Sequence, residues 1–162
     1  MKKFILFTFI ISFFLFVNNS FSGDKADLLI KQINQNWKTK NYKKIESVID
    51  GYLKLHPNSL VGIFAKIQYL VLFGNSNNIQ EIESLSRKLK RLGDSVKWAN
   101  DSELELEMTV FLYDTMNVKQ AIARGAIGPG LSKKQINKLH EEFKQFPLSS
   151  IMIKLSKIDN IQ

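Results

Sequence analysis

The run LVGIFAKIQYLVLF, Leu60 to Phe73, is apolar on almost every side when wound as a helix. A helix of that character in a soluble chain must be touched on several faces by others, so it is read as the central element around which the remainder packs. Gly74 follows as its expected left-handed stop.

The segments on either side supply the covering faces. Ala26, Leu29, Ile30, Ile33 and Trp37 recur at helical spacing, which predicts an amphipathic helix over 25–39. Tyr42, Ile45, Val48, Ile49, Tyr52 and Leu53 form the next stripe, with Asn41 as the expected N-cap and Pro57 restricting His56 to extended geometry. Asn77 and Asn78, each with an acid or amide three residues on, predict capping boxes for a helix carrying Ile79, Ile82, Leu85, Leu89 and Leu92 and ending at Gly93. Asn100 with Glu103 predicts a further box, opening a helix over 102–116. The period-two alternation of SELELEMTV also fits a strand, but no partner strand exists in the sequence. A short helix over 118–124 precedes the loop GAIGPG. Ser132 and Gln135 then open a helix with Ile136, Leu139, Phe143 and Phe146 facing inward, and Leu148, Ile151, Met152, Leu155 and Ile158 line the last one. The expectation is an all-α domain over 23–162.

Residues 1–22 are set apart. Lys2 and Lys3 precede an apolar run from Phe4 to Val17, and Ser20 and Ser22 suit cleavage before Gly23, the pattern of a cleavable signal peptide. Fourteen residues at ~1.5 Å each fall short of the ~30 Å that a membrane anchor has to cross. The chain is therefore expected to be exported, to the periplasm or the medium. It has no cysteine, which excludes a lipid-attachment cysteine, disulfides and thiolate sites, so the domain must fold by its core alone. The formal charge of +8 becomes +6 without Lys2 and Lys3. Such a balance suits anionic envelope polymers, lipid head groups or acidic proteins, whereas nucleic acid lacks its usual motifs here.

The stretch NYKKIESVIDGYLKLHPNS, residues 41–59, aligns without a gap on the second helix of the tetratricopeptide repeat, and the chain resembles that family over roughly residues 25–124. FGNSNNIQEI and MNVKQAI repeat the turn, placing Ile45, Ile82 and Ala121 in the family's alanine position at separations of 37 and 39 residues, against about 34 in the family. Gln32, Asn36 and Lys66 depart from its apolar first-helix positions. The resemblance implies antiparallel helix pairs stacked as a short solenoid, with residues 132–158 as capping helices.

It also implies a concave groove lined by first helices, which would take a peptide or a partner's helix. The inner wall would carry Asn34 and Trp37, then Phe64, Gln68 and Val71, then Leu106, Val110 and Tyr113. The alternative is that the C-terminal helix folds back and fills that groove with Ile151, Met152 and Leu155. A second candidate surface is RKLKR, where Leu89 points inward and Arg87, Lys88, Lys90 and Arg91 crowd a helix end; it would bind an envelope anion or membrane surface, or be neutralised by Glu103, Glu105 and Glu107. His56 and His140 lie in unrelated contexts, GAIGPGLSKK lacks the features of a phosphate loop, and no metal or cofactor motif is present. A non-enzymatic interaction module is expected, with a helical hydrolase built on carboxylates the remaining enzymatic reading. N-terminal sequencing of the exported protein should begin at Gly23; an intact Met1 start on the exported form would overturn the cleavage expectation.

Overall fold

The computed structural model describes residues 22–123 and 128–160, so residues 1–21 of the expected signal peptide, part of the expected 118–124 helix and half of GAIGPG lie outside the described residues. Eight α-helices and no strand occur among the described residues. They are α1 (Ser22–Lys38), α2 (Tyr42–Leu55), α3 (Leu60–Phe73), α4 (Ile79–Ser95), α5 (Ser102–Met116), α6 (Val118–Ala123), α7 (Lys133–Glu142) and α8 (Ser149–Asp159), with 3-10 turns at Ser76–Asn78 and Lys97–Asn100. Each of α1 to α5 packs on the next, and short turns between packed neighbours fold the chain into helix hairpins.

Helix α3 is the hub. Every residue from Leu60 to Leu70 is buried, because α2, α4 and α8 surround it. Its one charge, Lys66, is neutralised by α2: the ammonium lies 2.8 Å from Asp50 and 3.4 Å from Glu46, one turn apart on that helix. Burial pulls the Lys66 pKa down, but the Asp50 hydrogen bond and both carboxylate charges more than offset this and hold it above its ordinary value. The family departure at Lys66 is thus an internal ion pair. Ile45, Ile82 and Ala121, one from each hairpin, are all fully buried.

Helix α8 lies against both α1 and α3. Met152 and Leu155 are completely buried, each worth about 1.5–3 kcal/mol as apolar area removed from water. At its C-terminal end Asp159 caps α3: the carboxylate accepts from the amides of Leu60 at 2.8 Å and Val61 at 3.0 Å and from the Ser59 hydroxyl at 2.6 Å. Ser59 in turn accepts from Gly62 N at 2.9 Å, so three of the four amides left unpaired at the helix start are addressed by residues 59 and 159.

Several punctuation marks act differently from their expected roles. Asn41 stands at the N-cap of α2 but its side chain makes no capping bond. Gly74 is extended rather than left-handed; its glycine is needed because a Cβ would meet the Leu70 carbonyl at 2.3 Å. The capping box there joins Asn75 to Asn78 and serves the 3-10 turn, while α4 itself has no side-chain cap. Gly93 does not end α4, which continues to Ser95; a Cβ at Gly93 would stand 2.1 Å from the Trp98 ring, so the glycine is the seat of that indole. Seating it requires four successive left-handed residues, Lys97 to Asn100, a conformation costing non-glycine residues about 1–2 kcal/mol each; burial of Trp98 offsets part of that. The cap of α5 is Asp101, accepting from Leu104 N at 2.9 Å, and not Asn100. Helix α7 stops before Phe143, leaving that side chain 44% exposed, and Leu148 is a left-handed N-cap of α8 rather than part of its stripe.

Asp159→Ala removes three accepted hydrogen bonds at once. It should lower unfolding free energy in urea by about 1–3 kcal/mol, with the largest loss of amide protection at Leu60 and Val61.

Candidate functional site

The inner wall expected from the first helices is covered along α1 and α3. The Trp37 indole is fully buried and donates from Nε1 to the Phe143 carbonyl at 3.0 Å. His140 stacks on it at 5.2 Å between centroids and Phe146 meets it edge-on at 5.6 Å. His140 Nε2 lies 2.8 Å from the Trp37 carbonyl, which accepts only, so that nitrogen carries the proton. Asn34 Oδ1 accepts from Phe146 N at 2.8 Å and Ser149 Oγ at 3.1 Å. Phe64 is fully buried against Phe111, with centroids 4.7 Å apart, and Gln68 is 4% exposed. Asn34, Trp37 and Phe64 therefore do not line an open groove, and Gln68, though buried, meets only the edge of the cleft described below. The segment from His140 to Asp159 takes that space, because its own apolar stripe has no other cover.

The third part of the wall is open. Leu106, Val110 and Tyr113 are 66%, 58% and 55% exposed on α5, opposite the face that buries Leu104, Met108 and Leu112. A helix apolar on two faces buries only one of them here.

A concave cleft of about 690 Å³ opens beside α3. Among the described residues, Gln68, Val71 and Leu72 of α3, Phe111 of α5 and Ile122 of α6 form one side of it. The Gly128–Leu131 strand of loop, Leu139, Phe143 and Pro147–Leu148 form the other. The loop is strapped to the end of α3: Gly130 N donates to the Val71 carbonyl at 3.0 Å and Leu131 N to that of Leu72 at 2.8 Å, pairing two carbonyls a helix end leaves free. Gly130 must be glycine, with φ of 82° and the Gly74 carbonyl 2.3 Å from where a Cβ would stand. Val71, half-buried, and Leu72 both line the cleft and hold the loop. Nothing in the sequence foretells the cleft, since its walls come from separated segments; the helical stripes turn Phe143 inward and put Leu148 on the last helix, whereas both stand at the rim of the cleft with Ile122.

The basic run is largely engaged within the chain. Arg87 reaches Glu83 at 3.3 Å, Lys90 pairs with Asp94, and Lys88 donates to the Pro57 carbonyl at 2.7 Å. Leu89 is fully buried as expected, but the run lies above the last turn of α4 rather than at its end. Glu103 and Glu107 do not face it; Lys154 of α8 takes both, at 2.9 and 3.0 Å. His56 caps α2 beside a smaller hollow at Tyr52 and Asp159. Among the described residues no group of three acidic or histidine side chains could hold a metal ion.

No family model, curated protein or solved structure matches the chain.

Where α3 meets α2 the most perturbed group is Tyr69. Burial and the neighbouring Glu46 carboxylate, 3.3 Å from the phenol oxygen, push its pKa up to about 12. The unfolded phenol ionises near 10 while the folded one stays neutral, so stability should fall as pH rises between those values. An alkaline titration of phenolate absorbance should show one tyrosine ionising about two units late, and Glu46→Gln should bring it earlier.

Proposed function

We propose that this chain is an exported binding module, tetratricopeptide-like in its paired helices, that takes an apolar segment of a partner protein into the cleft beside α3. The observation that carries the reading is the rim: Ile122, Phe143 and Leu148, 47%, 44% and 43% exposed, surround one concave apolar surface. Single exposed apolar residues mean little, but several around a cleft of this size are the usual mark of a binding site. The signal-like residues 1–22 support export, and the surplus of basic residues favours approach of an acidic partner, an effect on association rate more than on affinity. The first-helix groove of the repeat family is replaced in this reading by a surface that α8 leaves uncovered.

Peptides selected from a random displayed library against the mature protein provide the test. They should be rich in apolar residues, and Phe143→Glu or Leu148→Glu should weaken them by about tenfold or more, with little response to ionic strength. Both substitutions change only exposed side chains, so the fold is retained. Loss of binding through Leu106→Glu or Val110→Glu instead would move the site to the α5 stripe and end the cleft reading.

A further inference from the structure

Three buried side-chain oxygens among the described residues have no hydrogen-bond partner: Tyr42 Oη, Gln68 Oε1 and Asn160 Oδ1. Of these, Gln68 alone lines the large cleft. It sits on the hub helix, 4% exposed, in a row whose neighbours Ile67, Tyr69 and Leu70 are all buried. An unpaired buried amide oxygen costs about 1–3 kcal/mol, so such a group is normally matched to something. The remaining walls near it, Val71, Leu72, Phe111, Ile79 and Leu131, bring apolar side chains, and the polar lining residues Ser76 and Gln135 lie out at exposed positions. Gln135 is already committed to the Ser132 capping box.

Resting on the cleft as the binding site, we infer that its occupant anchors there through a tryptophan side chain whose indole N–H pairs with Gln68 Oε1. The chemistry narrows the choice. An aliphatic anchor fills the cleft but leaves the oxygen unpaired. A charged donor pairs it but is desolvated against apolar walls, at a cost no facing carboxylate in the lining repays. A phenol donates yet brings an oxygen that needs its own partner. Indole is a large flat apolar body with one donor and no acceptor, so it brings no unmatched polar atom of its own. The terminal amide torsion of glutamine is broad, which lets Oε1 turn to meet a donor arriving in the cleft without moving α3. Gln68 is on this account a specificity-determining residue: it discriminates between anchors of equal size.

The probes are N-acetyl-tryptophanamide and its 1-methylindole analogue, which keeps the ring and loses the donor, titrated against the mature protein and followed by amide shifts of Val71, Phe111 and Leu139. The indole should bind about three- to tenfold more tightly than the methylated ring. Gln68→Met, close in volume and without polar atoms at its end, should bind both equally and be at least as stable as the parent. Equal binding of the two probes to the parent protein, or a preference that survives in Gln68→Met, would overturn the indole assignment while leaving the apolar cleft standing. Absence of any cleft shift with either probe would overturn both. The two-probe comparison needs only the parent protein, so it decides the matter even where the variant folds poorly.

Discussion

Asp159 grips the first turn of α3 while Asn34 and Trp37 hold Phe146, Ser149 and Phe143 against α1, and between those two anchorages α8 lies across both helices. The rest of the fold depends on that crossing. A helix as uniformly apolar as α3 has to be covered on several sides. The hairpin partners α2 and α4 cover two of them, and α8 covers another. Asp159 thus completes the start of a helix that lies about a hundred residues earlier in the chain.

The same crossing decides which surfaces remain for a partner. Trp37, which would face a peptide in a tetratricopeptide groove, meets Phe146 here, Phe64 is buried in the same core as Met152 and Leu155, and the amide oxygen of Asn34 serves an internal backbone N–H. Apolar surface left over is displaced sideways, onto the outer stripe of α5 and into the cleft between the end of α3 and the α6–α7 region. Binding energy in such a design would come from burying a few large side chains in a preformed hollow rather than from a long concave contact.

The helices themselves were legible because their signals are local. Stripes such as Ile45, Ile49 and Tyr52 or Leu85, Leu89 and Leu92 specify helices wherever they pack, and Ser132 with Gln135 forms its capping box as read. The exact caps were less so: Asp101 and Asn75 compete with adjacent asparagines of the same chemistry, and only the tertiary path of the chain selects between neighbours. Gly93 reads as a stop because glycine signals a helix end, whereas it is small to admit Trp98, a contact made only once the chain turns back. Glu103 and Glu107 were paired with the nearest basic run in sequence, but Lys154 reaches them from fifty residues away. For the site, Trp37, Phe64 and Gln68 are buried while Leu106, Val110 and Tyr113 are exposed, because periodicity gives the direction of a side chain but not its neighbour.

The direct measurement is a truncation ending at Glu142, which removes the segment from Phe143 onward while leaving the hairpins α1 to α6 intact. If α8 is an integral wall of the core, the truncated chain loses cooperative unfolding and the wide chemical-shift dispersion of a packed core, since Trp37, Phe64 and Ile33 are left against water. A truncated chain that unfolds cooperatively near the parent's midpoint, with Trp37 newly accessible to quencher, would contradict it and return the first-helix wall to service as an open groove.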